Sequence, residues 1–257
     1  MSNVLYEVKD RVCFLTLNRP EKKNALNAAM VSDLKSQLAK AESDPSVKVI
    51  VLRASGDVFC SGADLESLQQ LQKNTHEENL ADSNHLKELF LQIYTLKKVV
   101  VAQVQGHALA GGCGLATVCD FVFAVPKAKM GYTEVRIGFV PAIVMVFLLR
   151  KIGEQKAKQL LLSGELIAGE DTLQFGLVNT LVAEEQLSDE VNAFCARLIR
   201  NNSIQSMELT KQMIAQSQSM TLEEGLNYAA EMNAKARATD DCKRGIGAFL
   251  NKEKLTW

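Results

Sequence analysis

Prolines and aromatic residues are scarce in this chain: 4 Pro, 1 Trp and an aromatic fraction of 6% in 257 residues. No apolar run approaches the ~20 residues that cross a bilayer. The amino-terminal MSNVLYEVKDRV has neither the apolar core of a secretion signal nor the Arg/Ser bias of a transit peptide. A cytoplasmic protein without a membrane partner is therefore expected. The six cysteines (Cys13, Cys60, Cys113, Cys119, Cys195 and Cys242) form no CxxC pair and have no His at metal spacing. They read as reduced structural thiols, and no metal is expected. An excess of either charge is also missing, with 29 basic residues against 30 acidic ones and a net charge of −1. That balance argues against nucleic acid, because phosphate binding rests on a basic surplus. What is present, 47% hydrophobic and 23% charged residues, suits one large globular domain, or a core with a smaller appendage.

The chain opens with two alternating segments, Val4–Val8 and Val12–Leu17, around Lys9-Asp10-Arg11. Their β-branched and aromatic content predicts a hairpin. Pro20 ends the second strand. Met30, Leu34 and Leu38 recur at four-residue spacing and predict a helix from Asn27, its N-cap, to Ala41. Val47–Leu52, Val99–Val104 and Phe121–Ala124 read as buried strands, with a helix over 84–96 between the first two. Strands alternating with helices predict an α/β fold with mostly parallel pairing. Beyond Glu154, helices are expected over 155–163, 168–175, 188–200, 203–216 and 221–238, with a short strand over 177–182. Thr221-Leu222-Glu223-Glu224 has the form of a capping box.

Two small-residue turns carry chemical interest. Phe59-Cys60-Ser61-Gly62-Ala63-Asp64-Leu65 follows the Val47–Leu52 strand. Gly106-His107-Ala108-Leu109-Ala110-Gly111-Gly112-Cys113-Gly114-Leu115-Ala116 follows Val99–Val104. A turn of small residues leading into a helix leaves backbone N–H groups pointing outward at a positive helix end, and two such turns together could hold an oxyanion. The plainer reading is a pair of tight turns. Neither segment is a P-loop or a dinucleotide fingerprint, and spacing alone leaves both readings open.

Taken together, these segments resemble the enoyl-CoA hydratase/isomerase (crotonase) superfamily. Asn18-Arg19-Pro20 with Asn24-Ala25-Leu26-Asn27 resembles that family's first CoA-contacting loop, and the two turns resemble its oxyanion-hole loops. Cys119-Asp120, Gly176-Leu177-Val178, Ala248-Phe249-Leu250 and the final Trp257 also match in order. The resemblance implies a spiral of repeated ββα units over residues 1–187. It implies a carboxy-terminal helical trimerisation region over 188–257 that builds a homotrimer or hexamer. It also implies an acyl-CoA substrate, with CoA as part of that substrate and no separate cofactor. By position, the N–H groups of Ala63 and Gly111 would bind the thioester oxygen. Lys22, Ala25, Asp64, Leu65 and Gly114 would line the substrate path, with Asp64 closing its turn. Lys22 and Lys23, and Lys252 and Lys254, are candidates for the CoA phosphates; a solvated charged face is the ordinary alternative. The polar stretch 69–84 corresponds to a mobile flank of the acyl pocket in the family.

Proton transfer next to a polarised thioester needs a carboxylate. Hydratases of the family use two Glu. The second matches Glu134, in Gly131-Tyr132-Thr133-Glu134-Val135-Arg136-Ile137-Gly138; at the first position stands Gly114. One glutamate resembles the family's double-bond isomerases, whereas Glu134 to Ala142 with Gly114-Leu115 resembles bacterial methylglutaconyl-CoA hydratase-type members. Hydration ranks first, with isomerisation or non-catalytic acyl-CoA binding as alternatives. RNA binding, known among relatives, is disfavoured by the balanced charge. Arg136 could pair with a substrate carboxylate or form an ordinary ion pair. His107 could orient a ligand or simply be structural. His76 and His85 fall in polar sequence with no partner motif.

Overall fold

The alternating amino-terminal segments pair as an antiparallel hairpin, β1 (Val4–Lys9) and β2 (Val12–Leu17), in the computed structural model, which describes residues 2–257. Asp10 and Arg11 turn the chain with φ of 50° and 66°, as a two-residue hairpin whose twist matches its strands requires. Asn27 accepts from the Met30 N–H at 2.9 Å and caps α1 (Ala28–Ser43).

From there the chain repeats a strand–strand–helix unit. β3 (Val49–Ala54) and β4 (Val58–Cys60) lead to α2 (Leu65–Leu71) and α3 (His76–Thr95). β5 (Val99–Val104) and β6 (His107–Leu109) lead to α4 (Gly111–Thr117). β7 (Phe121–Ala124) and β8 (Met130–Gly131) lead through a 3-10 turn, Glu134–Ile137, to α5 (Ala142–Ser163). β9 (Leu166–Ile167), α6 (Glu170–Phe175) and β10 (Thr180–Leu181) finish the core. First strands of the units join a six-stranded sheet ordered β1-β2-β3-β5-β7-β10, and second strands join a four-stranded sheet ordered β4-β6-β8-β9. This is the expected α/β spiral of ββα units. Only the β1–β2 and β8–β9 pairs are antiparallel. All six residues of β2 and of β5 are buried, because the sheet is covered on both faces and its strands need no polar side.

Four helices follow: α7 (Leu187–Asn201), α8 (Ile204–Ser217), α9 (Leu222–Ala238) and α10 (Asp240–Leu250). Ser203 and Thr221 cap α8 and α9, the latter with a full capping box. Lys211 on α8 ties this region to the core, donating to Asp120 at 2.7 Å and to the Lys98 carbonyl at 3.0 Å. Lys98 in turn donates to the carbonyls of Ala41 and Asp44 at the end of α1, where a cation meets the negative end of the helix. Among the described residues no helix is long and apolar enough to cross a membrane.

Three expectations about the elements change. The helix predicted over 155–163 is the second part of α5, which begins at Ala142 and is kinked at Gly153 (φ 76°, ψ 168°). The polar stretch 69–84 is largely helical, because Thr75 and Glu78 form a capping box that starts α3 eight residues before the predicted helix at 84. Helix α10, capped by Thr239, was not expected; Gly245 and Gly247 interrupt its apolar pattern.

Candidate active site

The small sheet places the chemistry. β4 and β6 pair in parallel (Cys60 with Ala108), and so do β6 and β8 (Leu109 with Gly131). Ala63, Gly111 and Glu134 each lie two or three residues beyond one of these strands, at the carboxyl edge where open α/β sheets bind ligands.

The first turn is braced from behind. Ala63 bridges Leu26 in parallel: Leu26 N–H donates to the Gly62 carbonyl at 2.7 Å and Asp64 N–H to the Leu26 carbonyl at 2.9 Å. In that pattern the N–H of Ala63 faces away from Leu26. Asp64 caps α2 by accepting from the Glu66 N–H at 3.0 Å and pairs with Arg19 at 3.0 Å. Burial pushes the Asp64 carboxyl upward, but the hydrogen bonds from Glu66 N–H and the Arg19 guanidinium outweigh it and hold the group below its ordinary range. Its role is to close the turn. Arg19 also donates to the Ala25 carbonyl, and buried Asn24 donates to the Ser55 and Val58 carbonyls, so the Asn18–Asn27 loop is pinned to the same turn.

In the second turn, Ala110 adopts φ 49° and ψ −125°, a left-handed conformation that is strained for a residue with a Cβ. Its N–H donates to the Gly131 carbonyl at 2.8 Å. Gly111 then opens α4 with its N–H in the first helical position, where no intrahelical acceptor exists. The two turns touch: a Cβ on Gly62 would lie 3.0 Å from Ala110 Cβ and 3.6 Å from the Gly111 nitrogen. Gly112 is demanded by packing, since a Cβ there would meet the Cys60 carbonyl oxygen at 2.3 Å.

Ala63, Leu65, Gly111 and Glu134 line one cavity of about 500 Å³, a volume suited to a small-molecule ligand. Its other walls come from the start of α1, from α2 and α3, and from Phe139 to Val144. Glu134 is 9% exposed, and its Oε2 is buried with no hydrogen-bond partner among the described residues. Burial raises its pKa above the ordinary glutamate value, against a smaller opposing backbone contact. A carboxylate with one oxygen left without a donor in an apolar cleft is poised to take and return a proton. Burial also pushes the Cys60 and Cys113 thiols up to about 12, so neither is a nucleophile.

Gly114 lies behind this cavity rather than in its lining. A Cβ there would meet Val144 Cγ1 at 2.3 Å and the Phe90 ring at 3.0 Å. Val144, from α5, lines the cavity instead. The space of the absent first glutamate is thus already filled with hydrocarbon.

Other candidates lie farther out. Lys22 pairs with Glu66 at 2.9 Å, and Ala25 is buried behind Leu26. Arg136 is exposed and outside the cavity lining; its side chain packs near Gly164. His107 Nδ1 accepts from the Lys129 N–H, a structural bond. His76 opens α3. His85 lines the cavity with its ring held by Ser32 Oγ and the Ala28 carbonyl, at 3.0 and 3.2 Å. Lys252 and Lys254 are exposed near the carboxyl end. Sequence reasoning missed Val144, Asp82 and the strain at Ala110. The apolar run after Pro141 was the one available signal for Val144.

The family described as enoyl-CoA hydratase/isomerase matches residues 7–257. A Thermus thermophilus protein is 41% identical over 244 residues, covering 95% of this chain and 96% of that one. The crotonyl-CoA hydratase of Syntrophomonas wolfei is 32% identical, with 99% of this chain and 97% of that one covered. The 2,3-dehydroadipyl-CoA hydratase of Escherichia coli is likewise 32% identical, with coverage of 98% and 97%. The crystal structure of an enoyl-CoA hydratase from Mycobacterium smegmatis superposes with a TM-score of 0.93 at 29% identity, over 99% of this chain and 98% of that one.

Proposed function

Because the chain belongs to the enoyl-CoA hydratase/isomerase family, we propose that it adds water to a short or branched enoyl-CoA thioester, with Glu134 as its single acid/base. The observation that carries this reading is the unpartnered Oε2 of Glu134 in one cavity with the outward N–H groups of Ala63 and Gly111. Those two donors would receive the thioester oxygen and draw electron density from C3. Glu134 would take a proton from water as the water oxygen bonds to C3. The resulting enolate charge would rest on the thioester oxygen, and protonated Glu134 would return its proton to C2 as the carbonyl reforms.

Double-bond isomerisation is the second reading, and the hydrocarbon filling beside Gly114 favours it. One carboxylate is enough to move a proton between C2 and C4, and no second carboxylate faces Glu134 from that wall. A panel of crotonyl-CoA, methylglutaconyl-CoA and a 3-enoyl ester with product analysis separates the two. Loss of the conjugated thioester absorbance with a 3-hydroxyacyl product is expected. No turnover of any ester would mean a non-catalytic acyl-CoA binder. Methylglutaconyl-CoA is the finer candidate, but its distal carboxylate would need a cation, and Arg136 stands outside the cavity lining. An uncharged acyl group is therefore the better-supported substrate.

The raised pKa of Glu134 sets a pH signature. Hydration needs the ionised base, so kcat/KM falls as pH drops through the folded-state value. That acid limb should lie above the ordinary glutamate range. A limb at the ordinary value would mean that the titrating group is solvated and is not Glu134. For assembly, a homotrimer or hexamer is proposed, because Leu222, Leu226, Phe249 and Leu250 on α9 and α10 are 63–83% exposed, more apolar surface than a lone chain usually leaves open. Sedimentation as three or six chains checks it.

A further inference from the structure

The cavity holds a second carboxylate that the proposed chemistry leaves unused. Asp82, on α3, is among the residues lining it, one helical turn before His85 and Leu86, which line it too. Asp82 forms no ion pair among the described residues. Two cations of the α1–α3 layer are engaged elsewhere. Lys35 pairs with Glu88 at 2.5 Å and approaches His85 Nδ1, and Lys87 donates to Asn84 at 2.7 Å. Among the described residues no Lys or Arg lines the cavity; its carboxylates are Glu134 and Asp82, with His85 as the other titratable side chain in a largely apolar wall.

We propose that Asp82 is a specificity-determining residue that makes the cavity accept uncharged acyl groups and turn away those ending in a carboxylate. The inference rests on reading this cavity as the acyl pocket. A terminal carboxylate entering it would meet like charge with no cation to offset the repulsion, while an alkyl group would meet only apolar wall. Selectivity of this kind comes from a repulsive element against the wrong ligand rather than a new contact to the right one. Asp82 is exposed, so solvent and salt reach its charge. The repulsion should therefore be moderate and should weaken as ionic strength rises.

A charge series tests this by equilibrium binding of two saturated thioesters, butyryl-CoA and glutaryl-CoA, to the full chain. Wild type should bind butyryl-CoA the more tightly. The preference should drop about three- to tenfold in Asp82→Asn, drop further in Asp82→Lys, and persist in Asp82→Glu. In the wild type it should also shrink with added salt, which a purely steric preference would not do. The same preference in the Asp, Asn and Lys forms, or a wild type that binds glutaryl-CoA equally well, would overturn the proposal. Neither ligand requires turnover. A protein that shows the charge series but hydrates nothing would thus refute the hydration step and leave the role of Asp82 standing.

Discussion

Glu134→Gln should lower turnover by about 10²- to 10⁴-fold, the range that a positioned acid/base contributes, and should raise the melting temperature once pH exceeds the folded-state pKa of the glutamate. Both follow from one fact: the carboxylate is buried and Oε2 has no donor. Its pKa is raised in the folded chain, so folding favours the protonated form. The favourable contribution of the protonated group is complete below the unfolded value and is lost as pH rises through the folded one. Above the folded-state value the wild type therefore carries a buried charge that Gln removes. The gap in melting temperature should be widest there and should close as pH falls toward the ordinary glutamate range. Paired kinetics and thermal melts at several pH values check this. A folded Gln variant that turns over within threefold of wild type would remove Glu134 from the chemistry, and one whose relative stability did not rise as pH climbs through the acid limb of kcat/KM would contradict the burial argument.

Gly114→Glu should not simply restore a second carboxylate. Position 114 lies inside α4, with no left-handed backbone to demand glycine, so the obstacle is space. The new Cβ would sit 2.3 Å from Val144 Cγ1 and 3.0 Å from Phe90. Overpacking of that kind costs about 1–3 kcal/mol, and an unpaired buried carboxylate adds to it. The single variant should therefore melt well below wild type and lose most activity. Adding Val144→Ala removes the closest contact, leaves Val144 Cβ at 3.0 Å, and should recover much of the fold. If the rebuilt carboxylate then faces Glu134, 3-hydroxyacyl product should rise relative to shifted double bond. Denaturant unfolding with product ratios decides it; equal stability of the single and double variants would show that Val144 is not the obstacle.

The parts of this molecule set by local pattern were legible in the sequence. The β1–β2 hairpin, the strand Val99–Val104 and the caps at Asn27 and Thr221 each depend on a few neighbouring residues, and each is found as expected. Bringing Ala63, Gly111 and Glu134 into one cavity depended on resemblance over the whole chain, because strand register across 71 residues, from 63 to 134, has no local signature. Two features stayed hidden for physical reasons. Val144 reaches Gly114 through tertiary packing between α5 and α4, and Ala110 takes a conformation that its own side chain opposes. Asp82 was obscured differently: a run of polar residues reads as solvated surface until the fold shows which turn of α3 borders the cavity.

The parallel strands β4, β6 and β8 give each ββα unit one job. Ala63 and Gly111 come from the first and second units and Glu134 from the third; in the proposed reaction the first two would polarise the carbonyl and the third would move the proton. During synthesis the carbonyl-binding half is therefore made before the proton-handling half. The same division would let the third loop be rewritten, and the reaction exchanged, without moving the strands that place Ala63 and Gly111.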